Sequence, residues 1–351
     1  MSWVTALARP EIAALKPYAH AAWEPQLMRL HANELPWRAL GDDSRAGLNR
    51  YPEPQPKALI ERLAGLYGVG PEQLLVARGA DEAIDLLIRT FCRAEHDAVL
   101  ICPPTFGMYA VAAGIQGAHL VSVPLAAAEG FALDEPALLR RCAPDVKLVF
   151  LCSPNNPTGN LLAKEAILRI AAALEGRSLV IVDEAYIEFA AAESLSRYLP
   201  QLPNLAILRT LSKAHGLAGA RCGTLIAHRD VVALLRKVIP PYAITQLTLE
   251  AVLKLLEPPQ LEACALRIAT LCAERQRMSQ ALSALPGVLR VWPSAANFLL
   301  VEFADPDTAL LKAREAEFLV RDVRSYAALP NALRITLGTP SQNVRLLKAW
   351  S

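Results

Sequence analysis

Short apolar runs rich in Val, Leu and Ile recur between residues 73 and 228. Each is followed by a loop with Pro, Gly, Asn or Ser and then by a stretch with apolar positions at helical spacing. This alternation predicts an α/β domain. Strands are expected at 74–77, 98–102, 120–123, 147–151, 179–182, 205–208 and 223–227. Runs that are apolar at every position point to a sheet covered on both faces. After Pro240 the pattern lengthens into two helical segments, 247–256 and 260–285. Strands at 298–303 and 333–337, flanked by helices at 307–317 and 341–350, then suffice for a small α+β domain. The first 37 residues, with Pro10, Pro17, Pro25 and Pro36, are too short to fold alone and are expected to pack on that small domain. The predicted division is a large domain over 38–242 and a small one made of 1–37 with 243–351.

Composition narrows the function classes. The 351 residues are 53% hydrophobic and 20% charged, with 36 Lys+Arg against 34 Asp+Glu and a net charge of +2. That balance excludes a disordered chain and, with no basic block, makes nucleic acid a poor partner. No basic segment followed by an apolar run opens the chain, so no secretion signal is expected. The most apolar stretches are strand-sized, whereas a spanning helix needs about 20 apolar residues, so no membrane span is expected. Seven cysteines, at 92, 102, 142, 152, 222, 264 and 272, follow no C-x-x-C spacing. They read as reduced core cysteines of a cytoplasmic protein. Six dispersed His without an H-E-x-x-H pattern give no metal site.

Four polar motifs interrupt the pattern, each directly after an expected strand. Arg78-Gly79-Ala80-Asp81-Glu82 opens a helix, and a small-residue loop there leaves backbone N–H groups free for phosphate. Asp81 capping that helix in an ordinary turn is the competing reading. Ser153-Pro154-Asn155-Asn156-Pro157-Thr158-Gly159 makes a rigid turn at a strand's C-terminal end, where open α/β sheets place ligands. Asp183-Glu184 ends an otherwise apolar strand, and an acid there needs a cationic partner unless it caps a helix. Thr210-Leu211-Ser212-Lys213, with Arg221 close behind, frames a lysine with hydroxyls and small residues, which suits a reactive amine. An aspartate, an amine, an asparagine, an arginine and a phosphate cradle at one sheet edge match the needs of pyridoxal phosphate. That cofactor takes a lysine for its Schiff base, a carboxylate at its ring nitrogen and an anion site.

Together with Cys102-Pro103-Pro104-Thr105-Phe106-Gly107-Met108-Tyr109 and Asp183-Glu184-Ala185-Tyr186, these motifs stand in an order that resembles the fold-type I aminotransferases. Within them the chain is similar to the histidinol-phosphate aminotransferase family nearly end to end. Leu30-His31-Ala32-Asn33-Glu34, Asn49-Arg50-Tyr51-Pro52, and the stretches 319–322 and 333–339 extend the likeness. The resemblance implies a large domain with a mostly parallel seven-stranded sheet covered by helices, plus a smaller α+β domain. It implies pyridoxal 5'-phosphate as cofactor, in a homodimer that transfers an amino group between histidinol phosphate and 2-oxoglutarate. Lys213 would be the Schiff-base lysine and the proton-moving base, with Asp183 and Tyr186 as the other catalytic groups. Asp183 would pair with the ring nitrogen, Asn156 and Tyr186 would hold the ring oxygen, and Phe106 would lie on the ring face. The phosphate would take the Ala80 and Asp81 backbone, Ser212, Arg221 and Thr210, with Tyr51 supplied from the partner subunit. Arg321 and Arg334 would recognise the substrate phosphate, helped by Tyr18 and Asn33.

Two positions depart from the family pattern. Phe106 stands where Tyr is usual, which keeps an apolar face and loses a hydroxyl, and Asn33-Glu34-Leu35-Pro36 replaces Asn-Glu-Asn-Pro. His215, close to Lys213, reads as a packing residue in preference to a proton shuttle. An aromatic aminotransferase or a phosphothreonine decarboxylase would share every cofactor residue, so only the substrate pocket separates them. A cofactor-binding regulator module would need an added DNA-binding domain, and a nicotinamide dehydrogenase would need a G-x-G-x-x-G.

Overall fold

A computed structural model describes residues 3–24 and 26–351; residues 1, 2 and 25 of the N-terminal segment lie outside the described residues. Seven strands form the large sheet: β1 (Leu74–Ala77), β2 (Ala98–Ile101), β3 (His119–Ser122), β4 (Val146–Cys152), β5 (Leu179–Asp183), β6 (Leu205–Thr210) and β7 (Gly223–Ala227). Their order is β1-β7-β6-β5-β4-β2-β3. Strand β7 runs antiparallel to both of its neighbours, β6 and β1, while β2 through β6 pair in parallel. Alternation along β5 shows why such strands are apolar throughout. Leu179 and Ile181 enter the core built with helix Ala80–Phe91, while Val180 and Val182 enter the core built with helix Lys164–Ala173. Each side chain so buried contributes roughly 1.5–3 kcal/mol by leaving water.

A second, antiparallel sheet contains β8 (Val288–Val291), β9 (Phe298–Phe303), β10 (Arg321–Asp322) and β11 (Ala332–Thr336), in the order β10-β11-β9-β8. Strands β8 and β10 were not expected from the pattern. The first is half exposed, and the second has two residues whose pairing comes from β11. Helix Pro258–Ser283, 26 residues and so about 39 Å long, links the two sheets. Its Ile268 and Leu271 pack near Tyr186, and its Met278 and Leu282 enter the core of the small sheet.

Two segments assigned to the small domain lie on the large sheet instead. In the N-terminal segment, Val4, Leu7 and Ala8 form a stripe at helical spacing that joins the core under helix Ala80–Phe91. Arg9 N–H donates to the Thr90 carbonyl at 3.0 Å, and Lys237 Nζ to that of Ala13 at 2.7 Å. Helix Gln246–Leu255 packs Val252 against Leu59, Leu63, Leu74 and Val76. Both segments thus share cores with the large sheet, and helix Pro258–Ser283 reaches from there to the core of the small one. Among the described residues, no helix is long and apolar enough to cross a membrane.

Candidate active site

Motifs following β1, β4, β5 and β6 converge on a cleft of about 600 Å³, closed on its far side by β10 and β11. Ala80, Asp81, Phe106, Asn156, Asp183 and Tyr186 line it, as do Thr210, Ser212, Lys213, Arg221, Arg321 and Arg334.

The cradle begins at Gly79, whose φ of 85° is the left-handed backbone that glycine adopts without strain. It is the N-cap of helix Ala80–Phe91 and offers no side-chain cap. The first-turn N–H groups are thus left to an anion at the positive end of the helix dipole. Asp81 does not cap, contrary to the competing reading of the motif. Its Oδ2 accepts from Arg221 Nη2 at 3.1 Å, which fixes the guanidinium across the cradle. Close approach of β7 completes the arrangement, because a Cβ on Gly223 would lie 2.5 Å from both Ala80 N and Gly79 C. Those neighbours are backbone and cannot swing aside. Gly223→Ala is therefore expected to lower stability by about 1–3 kcal/mol, the usual cost of overpacking, and to loosen retention of a phosphorylated ligand. Urea unfolding and equilibrium dialysis check this; unchanged midpoint and retention would contradict it.

Lys213 is presented by the turn after β6. Leu211 is buried as an anchor, and Ser212 N–H donates to Thr210 Oγ1 at 3.1 Å, so Ser212 and Lys213 face the cleft. Burial, and then the nearby Arg334 and Arg221 cations, pull the amine below its ordinary pKa. Its Nζ stands 5.8 Å from the centre of the Tyr186 ring. Asp183 is buried at the end of β5, accepting from Tyr109 OH at 2.6 Å and from Ala185 N–H at 3.1 Å. Burial pushes its carboxyl up, and those two donors offset only part of the rise. Tyr109 joins the candidate site through a contact that no sequence motif carries, its hydroxyl meeting Asp183 across 74 positions.

Asn156 Nδ2 donates to Tyr186 OH at 3.4 Å, and Arg334 Nη1 donates to Asn156 Oδ1, so these three side chains form one chain of contacts. Tyr186 is wedged edge-on against Phe298, and burial raises its phenol. Phe106 meets Tyr109 edge to face at 5.6 Å and walls the cleft. At the mouth, register sets Arg321 of β10 directly opposite Arg334 of β11. Like charges on one rung repel. Arg334 Nε is buried and has no acceptor among the described residues. An anion entering between the two guanidinium groups relieves both conditions, and the planar fork suits a phosphate.

The remaining expected residues lie elsewhere in the chain. Tyr51 stacks on Tyr242 at 4.5 Å and shares a separate depression with Asn33, while Tyr18 packs on His20, which in turn meets Tyr242. A single chain does not bring these three to the cleft. His215 is buried and held toward its neutral form by that burial, consistent with packing.

The donor set fits the phosphorylated pyridine expected from the sequence. Free helix-start N–H groups and Arg221 suit its phosphate. Asp183, whose partners are both uncharged, suits a protonated ring nitrogen, and Asn156 with Tyr186 suits its ring oxygen.

The chain matches the model of the family described as aminotransferase class I and II over residues 29–349. It is 48% identical over 352 residues to the histidinol-phosphate aminotransferase of Stenotrophomonas maltophilia, covering 99% of this chain and 96% of that one. It is 51% identical over 322 residues to the enzyme of the same name from Xanthomonas axonopodis pv. citri, covering 91% and 88%. In structure it is similar to histidinol-phosphate aminotransferase from Sinorhizobium meliloti in complex with pyridoxal-5'-phosphate. That likeness has a TM-score of 0.76 at 25% identity, over 86% of this chain and 82% of that chain.

Proposed function

We propose, from the premise that this chain belongs to the aminotransferase class I and II family, that it moves the amino group of histidinol phosphate to 2-oxoglutarate. The products are imidazole-acetol phosphate and glutamate, and pyridoxal 5'-phosphate is the cofactor. The observation that carries the substrate reading is the opposed pair Arg321 and Arg334 facing Lys213 across one cleft. Bound there, the cofactor supplies an electron sink for charge developing at the substrate Cα. Asp183 would keep the ring nitrogen protonated, while Asn156 and Tyr186 would hold the ring oxygen. With the cofactor bound, Lys213, whose pKa is depressed by burial and by Arg334, would take the Cα proton on Nζ. Arg334 and Arg321 clamp the substrate phosphate and so hold Cα within reach of that amine. The two substrates are processed in turn, in a ping-pong cycle.

We infer a homodimer as part of this reading. Met28, Leu30, Leu35, Trp37 and Leu40 are exposed on the same segment that carries Asn33, and so many exposed apolar side chains support an association face there. We assign Tyr51 to the cofactor phosphate of the partner subunit, and sedimentation of the loaded protein is expected at twice the chain mass. A cytosolic setting suits seven cysteines that are all free.

Absorption spectroscopy tests the function. The band of the bound cofactor is expected to bleach with histidinol phosphate far more efficiently than with phenylalanine. Equal efficiency moves the reading to an aromatic aminotransferase, and no band removes the cofactor.

A further inference from the structure

Residues 323–331 join β10 to β11 and so connect the two opposed arginines. The connection is a run of turns. Tyr326 N–H donates to the Val323 carbonyl at 3.2 Å, Leu329 N–H to that of Tyr326 at 2.8 Å, and Ala332 N–H to that of Leu329 at 3.2 Å. Val323, Leu329 and Ala332 are buried in the core that also holds Leu151 and Val182 of the large sheet. Tyr326 is half-buried and lines the cleft. Its hydroxyl donates to the Thr105 carbonyl at 2.6 Å, across 221 positions of chain. Burial raises this phenol against the pull of Arg334 and Arg321, so it keeps its proton and remains a donor.

The turn that receives the bond is itself fixed. Thr105 is buried, its Oγ1 donates to Asn155 Oδ1 at 3.0 Å, and Asn155 Nδ2 donates to the Pro104 carbonyl at 2.8 Å. Next along the chain stand Phe106, on the cleft wall, and Asn156, which accepts from Arg334. The strands that carry the arginines are thus tied across the cleft at two points, Arg334 to Asn156 and Tyr326 to Thr105. One tie leaves a pivot, whereas two fix an orientation. Only the second uses no group that an anion between the guanidinium groups would claim.

We propose that Tyr326 is a positioning residue for anion binding: its bond to the Thr105 carbonyl holds Arg321 and Arg334 at a set depth over the Phe106 wall, so that an entering phosphate meets both guanidinium groups at once. The inference rests on the reading that this pair takes a phosphorylated substrate. Its size is bounded by the bond itself, since a neutral hydrogen bond is worth a factor of about 2 to 12 in an equilibrium.

Thermal unfolding of the cofactor-loaded protein tests this with inorganic phosphate as the probe, the Gly79 cradle then being filled by the cofactor's own phosphate. The wild-type melting temperature is expected to rise saturably with phosphate, and not with NaCl at matched ionic strength. Tyr326→Phe keeps the ring and loses only the hydroxyl. In this variant the half-saturating phosphate concentration is expected to rise about 2- to 12-fold. Preference for histidinol phosphate over histidinol in bleaching the cofactor band is expected to fall by the same factor. A tie that served folding alone would lower the unliganded melting temperature and leave both quantities in place, and that result overturns the proposal. So does a wild type with no saturable response to phosphate. If histidinol phosphate fails to bleach the wild-type band while the phosphate response still depends on Tyr326, the substrate reading falls and the positioning role stands.

Discussion

Lys213→Ala is expected to lower kcat for amino transfer by at least about 10²–10⁴-fold, the contribution of one positioned proton-transfer group. The protein should stay folded. The truncation removes only atoms beyond Cβ that project into the cleft, while buried Leu211 and the Thr210 to Ser212 bond still hold the turn. Retention of the cofactor should persist in part, because the cradle rests on the helix start and Arg221. Steady-state rates with histidinol phosphate and 2-oxoglutarate, alongside urea unfolding, check both halves. A variant that keeps a tenth of wild-type turnover would sink the role given to this amine.

Arg334→Gln carries the next largest effect. A hydrogen bond to a charged group is worth roughly 1.5–3 kcal/mol, so KM for histidinol phosphate is expected to rise about 10- to 150-fold. Arg334→Lys should recover little of it, since an ammonium cannot offer the parallel pair of donors. A pH profile adds a second readout. Lys213 lies below its ordinary pKa through burial first and Arg334 next. Its neutral form is the active one, so activity climbs with pH as the amine loses its proton. Removing Arg334 raises that pKa, and the acidic limb of kcat, which reports the amine once substrate has freed it, should move to higher pH. A limb that stays in place, with KM unchanged, would separate Arg334 from both the substrate and the amine.

Strand positions and most of the residues that line the cleft were legible in the sequence because each motif is contiguous and stands at a strand end. Gly79 to Asp81, Asp183 and Thr210 to Lys213 needed no partner to be noticed. What was not legible depends on register or on contacts between distant segments. The rung that opposes Arg321 to Arg334 exists only once β10 pairs with β11. Tyr109 gains its meaning from a bond to Asp183, and Gly223 from the approach of β7 to the Gly79 backbone. The N-terminal stripe Val4, Leu7 and Ala8 has the spacing of any short amphipathic turn, and nothing in it says which of two cores it will cover.

The separation of the cleft's walls has a consequence for descent. The amine, the carboxylate and the cradle ride on the seven-stranded sheet, while the anion-reading arginines ride on β10 and β11 of the other one. Mutation can therefore explore new amino donors along residues 321–333 while inherited amine chemistry is left intact, whereas Arg334 also tunes Lys213. Selection for a changed diet of substrates would act on that short stretch first, and the history of a lineage's specificity would be written there before anywhere else in the chain.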